Sequence, residues 1–189
     1  MFKNSLERTR ALSDGIFAVV LTIMVLNIQV PHALTSTALQ VLARQIIIYL
    51  VSFSVVCQYW LFHQEIFTQL TKLPNPLLVT NLYYLAAIAL IPFTTAWFNG
   101  YPLSQLVVFF FSLVLVIVNF LQYRLFRLVI RHYDQLSAHD HEELLSAKIQ
   151  LWGSVGYWLI GSCWPVTLLP LIILSMGTRV LVAKIKRSV

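Results

Sequence analysis

The sequence predicts an all-α, multi-pass membrane protein with six transmembrane helices in one domain, residues 1–189. Three observations carry that expectation. First, 59% of the residues are apolar or aromatic and only 11% are charged, with a mean hydropathy of +0.79. Soluble domains are about 25% charged, and a chain this poor in charge cannot coat a water-facing surface. Second, the charges sit in short zones separated by long uncharged runs. None lies between Asp14 and Arg44, Arg44 and Glu65, Lys72 and Arg124, or Lys148 and Arg179. Third, when those runs are threaded through a bilayer, twelve of the thirteen Lys and Arg residues fall on one side, with Arg44 the exception. That asymmetry is the positive-inside pattern. The same facts exclude disorder. They also argue against a nucleic-acid partner, because the net charge of +6 is not gathered on a soluble domain.

The spans follow in order. A helix needs ~20 residues to cross ~30 Å of hydrocarbon. The first run gives a span over 12–30, stopped by Pro31. Glu7 and Asp14 interrupt the basic start, and no small-x-small cleavage site follows, so this run reads as a retained span. The second span covers 40–63. The 51 residues from Leu73 to Tyr123 are too many for one helix, and Asn99-Gly100-Tyr101-Pro102 inside them is a turn signal. Spans over 77–98 and 103–128 result. The last run divides at Cys163-Trp164-Pro165, because Pro165 suits the first turn of a new helix. The fifth span is then 148–163, where Gly153, Gly156 and Gly161 would let helices approach closely, and the sixth is 165–183. Both termini are expected in the cytoplasm and the spans in the cell membrane, plasma or inner, in contact with its lipids.

The first span carries the chemistry. It opens Arg8-Thr9-Arg10-Ala11-Leu12-Ser13-Asp14-Gly15 and continues apolar from Ile16. A carboxylate at that depth is costly and faces protein interior or water; Arg8, Arg10 and Ser13 are candidate partners. Asp14 also fits a helix N-terminus, where it would cap free amides and favour the dipole. Farther along, Val19, Thr22, Ile23 and Leu26 share one helical face at i, i+3, i+4 and i+7. Such a stripe lines a narrow pore or forms a helix–helix seam in which Thr22 bonds to its own backbone. Periodicity alone favours the seam.

Other features have plain explanations. Arg124, Arg127 and Arg131 repeat at voltage-sensor spacing but stand at the cytoplasmic end of the fourth span, where topology accounts for them. His139-Asp140-His141-Glu142-Glu143 lacks the i, i+4 spacing of a helical metal site, and Ser137 with Asp140 fits a helix start. Cys57 and Cys163 lie within spans and form no disulfide or metal motif. Trp60, Trp97, Trp152, Trp158 and Trp164 fall mostly near span ends, as in aromatic belts. Lys184-Ile185-Lys186-Arg187 is a juxtamembrane basic tail suited to anionic lipid. No catalytic constellation occurs, so neither an enzyme nor a cofactor is expected. The two three-span halves show no duplication, which leaves an inverted-repeat transporter without support.

Arg8-x-x-x-Leu12-Ser13-Asp14-Gly15, leading straight into the first span, resembles the Arg-x-x-x-Phe-Ser-Asp signature of the transmembrane protein 175 family, in its prokaryotic, single-repeat branch. The likeness continues through Ala18, Thr22 and Leu26. Tyr59-Trp60-Leu61-Phe62-His63 looks like the family's aromatic-histidine segment, and Asn81 at the start of the third span also fits. Two departures stand out. Leu12 replaces the motif's Phe, which weakens that ring's packing or leaves it to a neighbour. Val19, smaller than the usual Ile or Leu, occupies what looks like the narrowest family position.

The resemblance implies a potassium-preferring cation channel, assembled as a homotetramer around copies of the first span, with no re-entrant P-loop filter. Val19, Ile23 and Leu26 would form stacked apolar rings, and Thr22 a ring of hydroxyls. Arg8, Ser13, Asp14, His63 and Asn81 would form a network that supports the pore helix from outside the ion path. No metal is expected beyond permeating potassium, although other monovalent cations and protons are conceivable cargo. Two rival readings remain: a proton-coupled secondary transporter using Asp14, and a non-transporting membrane assembly protein.

Overall fold

The structure, a computed structural model, describes residues 5–68, 70–132, 148–149, 151–156, 159–160, 170 and 172. Most of the expected fifth and sixth spans, the His139–Glu143 run and Cys163 therefore lie outside the described residues. Five helices are defined: α1 (Ser5–Val25), α2 (Ser36–Thr68), α3 (Asn75–Ala89), α4 (Ile91–Gly100) and α5 (Gln105–His132). The described residues contain no strand.

Among the described residues, three segments are long and apolar enough to cross a membrane: 36–68, 75–100 and 105–131. The first is α2, whose 33 residues make a rod about 50 Å long. That is longer than the ~30 Å of hydrocarbon a span must cross. Thr35 starts it by accepting the Ala38 amide on its hydroxyl at 3.3 Å, an N-cap arrangement.

The second segment is one span in two pieces. Pro92 has no N–H to offer Ile88, so the helix breaks at Leu90 and restarts as α4 with the proline in its first turn. Within the restarted helix the Thr94 hydroxyl donates to the Ile91 carbonyl at 3.1 Å. The Asn99–Pro102 turn follows: α4 ends at Gly100 and α5 begins at Gln105.

The α3–α4 window is 56% buried within the chain and the α2 window 17%. The broken helix is thus the centre of the described bundle, and α2 lies at its edge. The core gathers Phe17, Val20 and Met24 of α1 with Tyr59, Phe67, Tyr84, Ile88, Val118 and Leu125 from the other helices.

α1 starts seven residues before the expected span and ends at Val25. Beyond it the chain tightens: Leu26, Asn27 and Ile28 donate to the carbonyls three residues back at 3.1–3.4 Å. From Leu12 to Val25 the helix is about 21 Å long, short of the hydrocarbon thickness. The charged Glu7, Arg8, Arg10 and Asp14 fill its first half, and it is not among the three membrane-length apolar helices.

Candidate functional site

α1 has two unlike faces. Thr9, Ser13, Phe17, Val20 and Met24 are buried, at spacings of three and four residues. The opposite face carries Leu12, Val19, Ile23 and Leu26, exposed at 49%, 54%, 44% and 77%. Exposed Thr22 lies among them.

The buried face enters a polar layer set in apolar packing. Asn81 of α3 is fully buried and reaches two helices at once. Its amide donates to the Ser13 hydroxyl at 3.2 Å, and its carbonyl oxygen lies 2.8 Å from Nε2 of His63. That contact requires the ring to carry its proton on Nε2. Ser13 in turn donates to the Thr9 carbonyl at 2.8 Å, so its hydroxyl both gives and receives. The His63 ring lies flat on Phe67, with centroids 4.1 Å apart and planes at 16°, and near-parallel to Tyr84 at 5.9 Å. Phe17 closes the layer from α1, 5.7 Å from His63. Every polar atom named here is thereby matched, as burial demands.

The charged end of α1 is tied separately. The Trp60 indole donates to the Asp14 carboxylate at 3.0 Å. Arg10 turns to the C-terminal end of α2. Its Nε donates to the Phe67 carbonyl at 3.0 Å, its Nη2 bonds the same oxygen, and Nη2 also reaches the Leu70 carbonyl at 3.1 Å. A guanidinium on the last carbonyls of a helix meets both the orphan acceptors and the negative end of the dipole. Replacing Arg10 with Met keeps the stem and removes the donors, so it should lower stability by about 1–2 kcal/mol. Lys should recover little, because a single ammonium does not bracket several carbonyls. Thermal unfolding in detergent reads this directly, and an unchanged midpoint for Arg10→Met would show that the clamp is idle.

At the other end, the Asn27 side-chain amide donates to the Pro92 carbonyl at 3.4 Å, and the Gln29 backbone N–H to Oε1 of Gln45 at 3.0 Å. α1 is therefore held to α2 and α3 near its charged end, and the segment just past its apolar end is held to α4 at Pro92 and to α2 at Gln45.

Of the residues singled out from sequence, the structure brings Ser13, His63 and Asn81 into one hydrogen-bonded group and sets Asp14 on its edge through Trp60. Arg8 is exposed and Arg10 makes the cross-helix contact instead. Leu12 is on the exposed face, across the helix from the Phe17 ring that packs on His63. Sequence reasoning missed Arg10 as a helix clamp, Phe17, and Trp60 as the partner of Asp14. The available signal for Trp60 was its place three residues before His63, on the same side of α2.

An apolar groove of about 910 Å³ runs beside the exposed face of α1. Gly15, Val19 and Ile23 form one wall, and Ala86, Ala89 and Phe93 the other. A Cβ placed on Gly15 would meet nothing within 4 Å, so this chain's own packing does not require a glycine there.

The family model described as endosomal/lysosomal potassium channel TMEM175 matches residues 8–92. That stretch begins on Arg8, ends on the helix-breaking Pro92 and contains the whole α1–α3 polar layer. The chain is 28% identical over 154 residues to a potassium channel of Chryseobacterium sp. (strain P1-3), covering 82% of this chain and 79% of that one. It is 33% identical over 102 residues to a potassium channel of Streptomyces collinus, covering 52% of this chain and 50% of that one. Its fold is similar to the crystal structure of a lysosomal potassium-selective channel TMEM175 homolog from Chamaesiphon minutus. There the TM-score is 0.82 at 19% identity, over 94% of this chain and 98% of that one. With Ser13, His63 and Asn81 assembled as one layer, the family model and the sequence relatives both point to the TMEM175 family, and the fold is that of the Chamaesiphon homolog.

Proposed function

We propose that the protein is a potassium-preferring cation channel of the cell membrane, with cytoplasmic termini, whose central pore is lined by α1 in a homotetramer. The observation that carries this reading is the division of α1 into a fully satisfied buried face and an exposed face of Val19, Thr22, Ile23 and Leu26. A helix with four charges in its first half and about 21 Å of apolar length is poorly suited to lipid. Copies of the same helix around an axis would shield one another. The free space at Gly15 and the adjoining groove leave room for a neighbouring helix to approach. Relatives named as potassium channels, not enzymes, support a channel over the other readings.

Thr22 adds a chemical reason for cations. Its hydroxyl donates to the Val19 and Ala18 carbonyls at 2.9 and 3.0 Å. With the proton engaged, the oxygen lone pairs remain as acceptors on the exposed face. A ring of such oxygens can replace part of a cation's hydration shell, while the apolar rings on either side resist wetting. Potassium sheds its water at lower cost than the smaller sodium ion, which favours it at a constriction that strips water. Arg8, Ser13, Asp14, His63 and Asn81 are assigned the support of the pore helix rather than contact with ions.

The test is ion flux from liposomes holding the purified protein, with potassium, sodium and proton gradients imposed separately. Potassium flux exceeding sodium flux is expected, together with a tetramer by mass measurement in detergent. No cation flux at verified protein density would sink the channel reading. Saturable, substrate-coupled flux that depends on Asp14 would instead indicate a transporter.

A further inference from the structure

The polar layer does not end at α3. One turn along α3 from Asn81, the Tyr84 hydroxyl donates to the Tyr59 carbonyl on α2 at 3.3 Å. The Tyr59 hydroxyl then donates to Oδ1 of Asn119 on α5 at 3.2 Å. Tyr84, Tyr59 and Asn119 are all buried, at 0%, 5% and 8% exposure. With the His63–Tyr84 ring contact joining the two parts, polar or aromatic contacts run unbroken from Ser13 on α1 to Asn119 on α5. Asn119 lies in the middle of the most apolar of the three spans, of mean hydropathy 2.4, where a buried amide is costly and points inward for a reason.

Packing stability alone does not account for the amides of α5. Gln122, one turn beyond Asn119 on the same side of the helix, is buried to 2%, and neither its amide oxygen nor its nitrogen has a hydrogen-bond partner among the described residues. An apolar side chain of that size would cost nothing to desolvate. The span thus keeps two buried amides, one of which is spent on a single bond to a helix that itself carries His63.

We infer that Asn119 is a positioning residue for conduction: through Tyr59 it couples the position of α5 to the layer that holds α1. This rests on the reading of α1 as the pore helix. α5 makes no use of an ion contact in this role. It acts by fixing where α2, and hence His63, Asn81 and Ser13, stand.

The experiment compares Tyr59→Phe, Asn119→Leu, the double variant and Asn119→Asp, whose carbonyl oxygen keeps the acceptor. Potassium flux is measured per folded channel in liposomes. Independently of conduction, the modification rate of a Thr22→Cys reporter by a water-soluble thiol reagent is measured in a Cys57→Ser, Cys163→Ser background. Each single variant should change both readouts by about threefold or more, the double variant should match either single one, and Asn119→Asp should stay within about twofold of wild type. Two results would overturn the inference. One is a lower melting temperature with both readouts within about twofold of wild type, the mark of a merely structural contact. The other is single effects that multiply in the double variant, the mark of two independent sites. If wild-type liposomes carry no flux but the reporter still responds, the pore reading falls while the coupling of α5 to α1 stands.

Discussion

Replacing Asn81 with Leu should lower the stability of the folded protein by about 2–3 kcal/mol, the largest loss expected from any single polar change in the bundle. Interhelical hydrogen bonds in membrane proteins average only ~0.6 kcal/mol, because the unfolded chain in the membrane also finds partners. Two such bonds would account for about 1 kcal/mol. The rest comes from what the substitution strands. His63 is buried to 3%, and its ring is fixed by contacts to Phe67, Tyr84 and Phe17. It cannot turn to another acceptor, and an unpaired buried donor costs ~1–3 kcal/mol. Ser13 suffers less, since its own proton already goes to the Thr9 carbonyl. The asymmetry gives a sharper test. His63→Leu together with Asn81→Leu removes both ends of the 2.8 Å bond, so the double variant should lose less than the sum of the two singles. Melting midpoints of the four proteins in one detergent decide this. Strict additivity would mean that His63 and Asn81 act separately and that the layer is not a unit.

What sequence could supply about this layer was the identity of its members, not their assignments. Ser13, His63 and Asn81 carry polar groups at depths where burial forces pairing, so their convergence follows from the cost of leaving them alone. The two-faced character of α1 was likewise legible, because Val19, Thr22, Ile23 and Leu26 recur with helical period. Partner choice was not. Arg10 rather than Arg8 meets α2, because the end of that helix comes within reach of position 10 only after the two helices pack. Trp60 fits an aromatic belt by position, and only the fold brings Asp14 to it from 46 residues away. The break at Leu90 was equally hidden. Proline is tolerated inside membrane helices when neighbours satisfy the freed carbonyls, so Pro92 alone does not say whether a span bends or divides. Asn119 and Gln122 were silent for a related reason: single amides in a long apolar run leave the period and the hydropathy almost unchanged.

Val19→Asn and Ile23→Asn should each raise potassium flux by about tenfold and bring the potassium and sodium rates together. In the proposed tetramer each substitution places a ring of amides where an apolar ring resisted wetting. A tenfold rise needs only ~1.4 kcal/mol off the barrier, a modest demand when several polar groups replace alkyl surface around a narrow passage. Selectivity should fall for the same reason. A wetted passage no longer strips water from the ion, so the lower dehydration cost of potassium ceases to matter. The control is the residue next to Val19. Val20 is exposed to 4% and faces the core beside Phe17 and Met24. Val20→Asn buries an amide without a partner and should impair folding by roughly 1–3 kcal/mol instead of opening a leak. Adjacent positions, given the same side chain, should thus fail in opposite ways: one folded and leaky, the other poorly folded. Liposome flux normalised to folded protein separates the two. If Val19→Asn and Ile23→Asn both leave conductance and selectivity unchanged, then the exposed face of α1 is a packing seam and the ion path runs elsewhere.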